Sequence, residues 1–266
     1  MRSILALMRA SYLTAASYRL ALVLSFVSLI VSVIPVYFVS GALQPVVAES
    51  IANEGGQYFG FLILGIGSIY VLTAAISTLP GTLSASLGNG TLEALLVTRT
   101  PLHHTLAGLI AYPLALAMVR SAILLVGAAI VGVPIAWSGL PLAMFVMLLV
   151  LVAYLGVGLI GAALVLVFRT SGPLATGVLM VSGLLGGVYY STTVIPAWLQ
   201  DLSALVPLTY GLRAIRMLLL GGAPFAEVFN DISALVVFAA VMFSVSAATF
   251  VAALRHARAS GTLSQY

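Results

Sequence analysis

Long stretches of this chain carry no charge at all, and that feature narrows the fold more than any motif does. Apolar runs occupy about residues 20–39, 58–79, 113–133, 140–168, 173–193 and 233–254. A helix needs about 20 consecutive apolar residues to cross the hydrocarbon core. Inside hydrocarbon every backbone N–H and C=O must find its partner within the protein, so only helices or a closed barrel can span it. The runs lack the in–out alternation of barrel strands. The expected fold is therefore all-α, a single transmembrane domain over residues 1–266 with six spans. With 62% hydrophobic and 6% charged residues, the chain has too little polar surface for a soluble fold.

Charge sets the expected orientation. The ten basic residues are all arginine. If the N-terminus is cytoplasmic, six spans put Arg2, Arg9, Arg19, Arg99, Arg169, Arg255 and Arg258 inside and only Arg213 and Arg216 outside. The positive-inside rule then places both termini in the cytoplasm. Glu49, Glu54, Asp201, Glu227 and Asp231 fall outside, and Glu93 alone inside. Tyr37, Phe38, Tyr58, Phe59, Trp137, Tyr189, Tyr190 and Trp198 collect at outer span ends, where amphipathic rings anchor. Before the first span, Ile4, Met8 and Ala15 share one helical face and Arg2 and Arg9 another, which predicts a helix lying on the cytoplasmic surface. The N-terminal sequence lacks the pattern of a removable signal and runs on into a full span. Gly56 with Gly60, and Gly183 with Gly187, have the spacing that lets helix backbones approach, read here as packing within one subunit.

Catalytic chemistry is sparse. There is no cysteine, the adjacent His103 and His104 point about 100° apart on a helix, and no serine sits in a nucleophile elbow. None of the six acids falls inside an expected span, which disfavours a self-contained ion-coupled carrier. Arg120 is the one intramembrane charge. It lies at mid-depth if its span starts at Thr105, where it could meet an anionic group along a pathway. It lies about 10 Å in if the span starts at Pro113, where it snorkels toward the headgroups. The chain also lacks lysine, so it cannot supply the P-loop that grips ATP phosphates.

Two segments carry a resemblance. The connection after the second run reads G-T-L-E-A-L-L-V-T-R-T-P, from Gly90, Thr91, Leu92 and Glu93 through Leu95, Leu96, Arg99 and Thr100 to Pro101. Residues 194–231 form an apolar but broken stretch with Pro196, Trp198, Leu199, Pro207, Thr209, Tyr210, Arg213, Arg216 and Leu218. Both resemble the type-2 permease family of ATP-binding-cassette exporters. The resemblance implies that residues 90–101 form a coupling helix docking on a separate nucleotide-binding subunit. Locally, Thr91 can cap such a helix, Glu93 suits its first turn and Pro101 ends it. One departure is that Ser84, Ala85, Ser86, Gly88 and Asn89 stand where the family often has charges.

For residues 194–222 the resemblance implies a re-entrant pair of short helices before the last span, closing the outer mouth of a pathway. Arg213 and Arg216 there could meet anionic substrate or lipid phosphates, or serve structure by pairing with Asp201 or facing solvent; the structural role is preferred. By the same resemblance the chain is no enzyme but the permease subunit of a plasma (inner) membrane exporter. It works with a second permease copy or homologue amid membrane lipid, takes no nucleic acid and binds no cofactor of its own; ATP and Mg belong to the partner ATPase. Amphipathic, lipid-linked or glycan cargo suits an apolar cavity. An ion-coupled carrier or channel and an intramembrane enzyme are the alternatives from other classes.

Overall fold

The computed structural model describes residues 2–89, 102–168, 170 and 172–259. Among the described residues all regular structure is helical: α1 (Arg2–Ser17), α2 (Arg19–Val47), α3 (Tyr58–Gly88), α4 (Leu102–Ile130), α5 (Leu140–Phe168), α6 (Gly172–Leu185), α7 (Ala197–Ser203), α8 (Pro207–Leu219) and α9 (Phe225–Ala259). Five of these, α2, α3, α4, α5 and α9, are long and apolar enough to cross a membrane. Four outrun the apolar stretches that announced them, α2 running on through Pro45 to Val47. α3 passes through Pro80 to Gly88, α4 begins eleven residues before Pro113, and α9 begins at Phe225. Proline is tolerated inside such helices where neighbours support the freed backbone groups. The first turns of α4 have that support from α1, which packs along them with the Tyr12 and Tyr112 rings edge to face at 6.0 Å.

The expected fifth span is corrected. Instead of running through residues 173–193, α6 stops at Leu185 after 14 residues, about 21 Å of helix. Gly187 then takes a positive φ of 73°, open to glycine at no steric cost. A helix end leaves its last carbonyls without intrahelical donors. Here the Tyr190 hydroxyl donates to the Leu184 carbonyl at 2.6 Å and the Ser203 hydroxyl to that of Leu185, while the Thr209 hydroxyl donates to the Ser203 carbonyl at 2.8 Å and braces the same turn. Tertiary donors thus replace the next helical turn.

The broken segment is the expected pair of short helices: α7 follows Pro196, α8 starts at Pro207, and their axes differ by 91°. α3 is the central element, packed antiparallel along α4 and parallel along α5, and touched by α2, α6 and α8. The largest core cluster joins Leu72 and Ile76 of α3, Val146 and Val150 of α5, Leu212 and Ile215 of α8, and Leu235 of α9. At the opposite end, Leu79 and Leu83 of α3 meet Leu166 of α5 and Phe250 of α9. By contrast α2 buries only Leu29 and Ser40. Of the expected interfacial aromatics, Tyr37, Phe38, Trp137, Tyr189 and Trp198 are exposed, whereas Tyr58 and Phe59 are core residues.

Lipid tails are as apolar as leucine, so these helices are held by close packing instead of by expulsion of water. Of the two spaced glycine pairs, Gly60 is at a close contact, where an added Cβ would come within 2.8 Å of Val133 and 2.9 Å of Leu220. Gly56 and Gly187 sit in turns, and the nearest atom to a Cβ on Gly183 would be 3.9 Å away. Gly158 of α5 makes the tighter crossing, where an added Cβ would run into the Ala75 carbonyl oxygen of α3. Gly158→Val is expected to cost about 1–3 kcal/mol through overpacking. Thermal unfolding in detergent should show it as a lowered midpoint, while Gly127→Ala, which meets nothing within 4 Å, should not move it by this mechanism.

Candidate functional site

The sequence pointed to three places. The first, Gly90, Thr91, Leu92, Glu93, Leu95, Leu96, Arg99, Thr100 and Pro101, lies outside the described residues. It is bracketed by the end of α3 at Gly88 and the start of α4 at Leu102, and the two helices pack against each other along their length.

The second is the α7–α8 hairpin. On α8 the side chains of Arg213 and Arg216 stand three residues apart, yet they meet different partners. Arg213 makes a two-pronged pair with Asp231 of α9, its Nε donating to Oδ2 at 2.9 Å and its Nη2 to Oδ1. Its side chain remains 45% exposed, and its Cζ lies 5.6 Å from the centre of the Tyr210 ring. Pro196 caps the start of α7, Trp198 is exposed, and Leu199 is half-buried.

Arg216 is 1% exposed. Its guanidinium has five N–H donors in a fixed plane, and the structure gives acceptors to Nε and to both terminal nitrogens. Nη1 donates to Glu54 Oε2 at 3.1 Å and to the Gly187 carbonyl at 2.8 Å. Nη2 donates to the carbonyls of Phe61 at 3.0 Å and Val188 at 3.1 Å, and Nε reaches Phe61 again at 3.3 Å. The Phe61 ring lies flat against it, 3.3 Å from ring centre to Cζ. The other Glu54 oxygen accepts from the Ser191 hydroxyl at 3.3 Å.

Two flanking contacts extend this node. The Tyr58 hydroxyl donates to the Tyr189 carbonyl at 2.9 Å, and the Gln44 amide bridges the Gly56 carbonyl and the Tyr58 N–H, both at 2.7 Å. One cation therefore ties α8 to the α2–α3 connection, the start of α3 and the turn after α6. This arrangement holds elements together and presents no open donor to a ligand.

Asp201, a partner considered from sequence, is exposed on α7 and makes neither pair. Glu54 and Asp231 were read only as outward acids. Their assignment depends on long-range proximity, 162 residues for Glu54 and Arg216, which local spacing does not encode. The available hint was their position on the same side as the only two outer arginines.

The third place is Arg120, whose Nη2 donates to Ser25 Oγ of α2 at 3.2 Å. Ser25 is six residues into α2, about 9 Å of helix. Arg120 therefore lies level with the second turn of α2, although it is eighteen residues into α4, which begins well before Pro113. Among the described residues there is no group of three or more His, Asp or Glu that could hold a metal ion.

The ABC-2 type transporter family model matches residues 2–220, from α1 through the hairpin. The chain belongs to this family. It is also 27% identical over 168 residues to the inner membrane transport permease YadH of Escherichia coli K12, and equally to those of Escherichia coli O157:H7 and Shigella flexneri. That match takes in 63% of this chain and spans 65% of the length of the relatives. With its five long apolar helices, this member of the ABC-2 family is a multi-pass inner-membrane protein.

Removing one partner of a buried ion pair leaves the other charge uncompensated and costs about 3–5 kcal/mol, whereas an exposed pair is worth about 0–1 kcal/mol. Glu54→Gln is therefore expected to lower the unfolding midpoint in detergent far more than Arg213→Gln, whose loss falls between these limits because Asp231 is buried. Equal, small shifts in both variants would contradict the central role of Arg216.

Proposed function

We infer that this chain is the membrane subunit of an ATP-driven exporter, powered by a separate nucleotide-binding subunit. The family match across residues 2–220 carries this reading, since it takes in both helices that bracket residues 90–101 and the whole hairpin. By resemblance, residues 90–101 couple the two subunits, with Glu93 in the first turn of the coupling helix. ATP and Mg sit on the partner, and two permease copies, or this chain and a homologue, enclose the pathway. Closure of the ATPases tilts the helices and opens a route past the hairpin, an alternating-access cycle. Amphipathic or lipid-linked cargo, glycans included, fits the apolar helix surfaces.

Six crossings with both termini cytoplasmic belong to the same reading. α6 is short, but its last residues lie beside the start of α3 through the Arg216 node, at the opposite end of the bundle from Gly172. A helix with that placement completes the fifth passage, leaving α7 and α8 to dip back from the outer face. The arginine asymmetry supports the orientation.

The test is co-expression of the tagged chain with its native neighbours and purification in gentle detergent. An ATPase is expected in equal stoichiometry, with hydrolysis stimulated by the permease. Glu93→Arg should uncouple that stimulation while leaving the unfolding midpoint near wild type. Repeated purification of a stable chain with no ATPase would overturn the reading.

A further inference from the structure

α2 and α4 part along one side of the bundle and leave a cleft of about 770 Å³, within the roughly 300–1,000 Å³ of small-molecule sites. Leu29, Val33 and Ile34 of α2 face Ile123 and Val126 of α4 across it, and Phe59 of α3 lines it. The exposure of Ile30, Ile34, Val126 and Ile130 shows that it opens sideways. Arg120 and Ser25 stand at its α1 end, one turn from Leu29 and next to Val119. From Arg120 to Val131 the wall runs about 16 Å, ending where α4 ends. Beyond Tyr37 and Val131 the lining turns polar, with Ser40, Gln44 and Gln57.

Arg120 differs from the two hairpin arginines. Among the described residues, the ion pairs belong to Arg213 and Arg216, and no carboxylate lies within 4 Å of Arg120. Its Nε is buried and has no hydrogen-bond partner, and its only side-chain partner is the neutral Ser25 hydroxyl. A cation held at the end of an apolar cleft lacks the anion that would offset its desolvation, and guanidinium matches phosphate oxygens well.

We propose that this cleft holds an acyl chain of an anionic phospholipid from the leaflet on the α1 side, its phosphate against Arg120. The apolar walls, the sideways opening and the unpaired charge at one end fit that occupant together. The site does not depend on the exporter reading, because it requires a bilayer and no cargo.

The purified full chain, stripped in detergent, would be incubated with phosphatidylglycerol or phosphatidylcholine of identical chains, and retained lipid counted by native mass spectrometry. Wild type is expected to retain phosphatidylglycerol about tenfold better. Arg120→Gln should abolish that preference. Gly127→Leu, which fills the cleft where a Cβ meets nothing within 4 Å, should reduce retention of both lipids without lowering the midpoint of the stripped protein. An unchanged preference in Arg120→Gln, or wild-type retention in Gly127→Leu, would overturn the proposal. So would an Arg120→Gln variant that keeps the lipid but loses an oligomer, since the guanidinium would then face a second copy.

Discussion

A guanidinium cannot be buried cheaply, and much of one end of this bundle is arranged around that cost. Arg216 reaches four acceptor groups, namely the Glu54 carboxylate and the carbonyls of Phe61, Gly187 and Val188. Two of those carbonyls are available only because α6 has ended and the chain has turned through Gly187. The third belongs to the first turn of α3, and the carboxylate to the connection that precedes it. The positions of α8, the α6 turn and the α2–α3 connection are therefore mutually dependent. None can shift without leaving a buried charge or carbonyl unpaired.

The rest of the bundle follows a different rule. Along α3 the neighbours are other helices, and small residues such as Gly158 let backbones touch. Along α2 most faces have no neighbour within this chain, and the side chains there are large and apolar: Val27, Ile30, Ile34 and Phe38 are all exposed. A firmly tied hairpin end thus stands beside a helix free on most sides. On the proposed reading, this division supplies a fixed element and a surface along which movement costs few contacts.

The spans were legible because hydrocarbon imposes a length and a composition on any helix that crosses it. The boundaries of α5 at Leu140 and Phe168 agree with the apolar run for that reason. The break between α7 and α8 was legible through Pro196 and Pro207, since proline fixes where a helix can start. The end of α6 was only faintly legible: residues 186–193 carry no charge and so extend the uncharged run, yet Gly186, Gly187 and the hydroxyls from Ser191 to Thr193 mark a break, and the donors from Ser203 and Tyr190 replace the next turn. The depth of Arg120 was ambiguous for a related reason. Pro113 marked a plausible start, and only the packing of α1 along α4 shows the helix continuing through it.

By itself the sequence determined an all-helical membrane protein, the number of its long apolar runs, the asymmetry of its arginines and its membership of a permease family. Those follow from composition, periodicity and local motifs, which act over a few turns of chain. Only the tertiary structure decided that Arg216 pairs with Glu54 and Arg213 with Asp231, that α6 stops short, and that α2 and α4 separate into a cleft ending at Arg120. Each of those depends on residues distant in sequence meeting in space, and a buried charge takes whichever partner the packing of helices brings within reach.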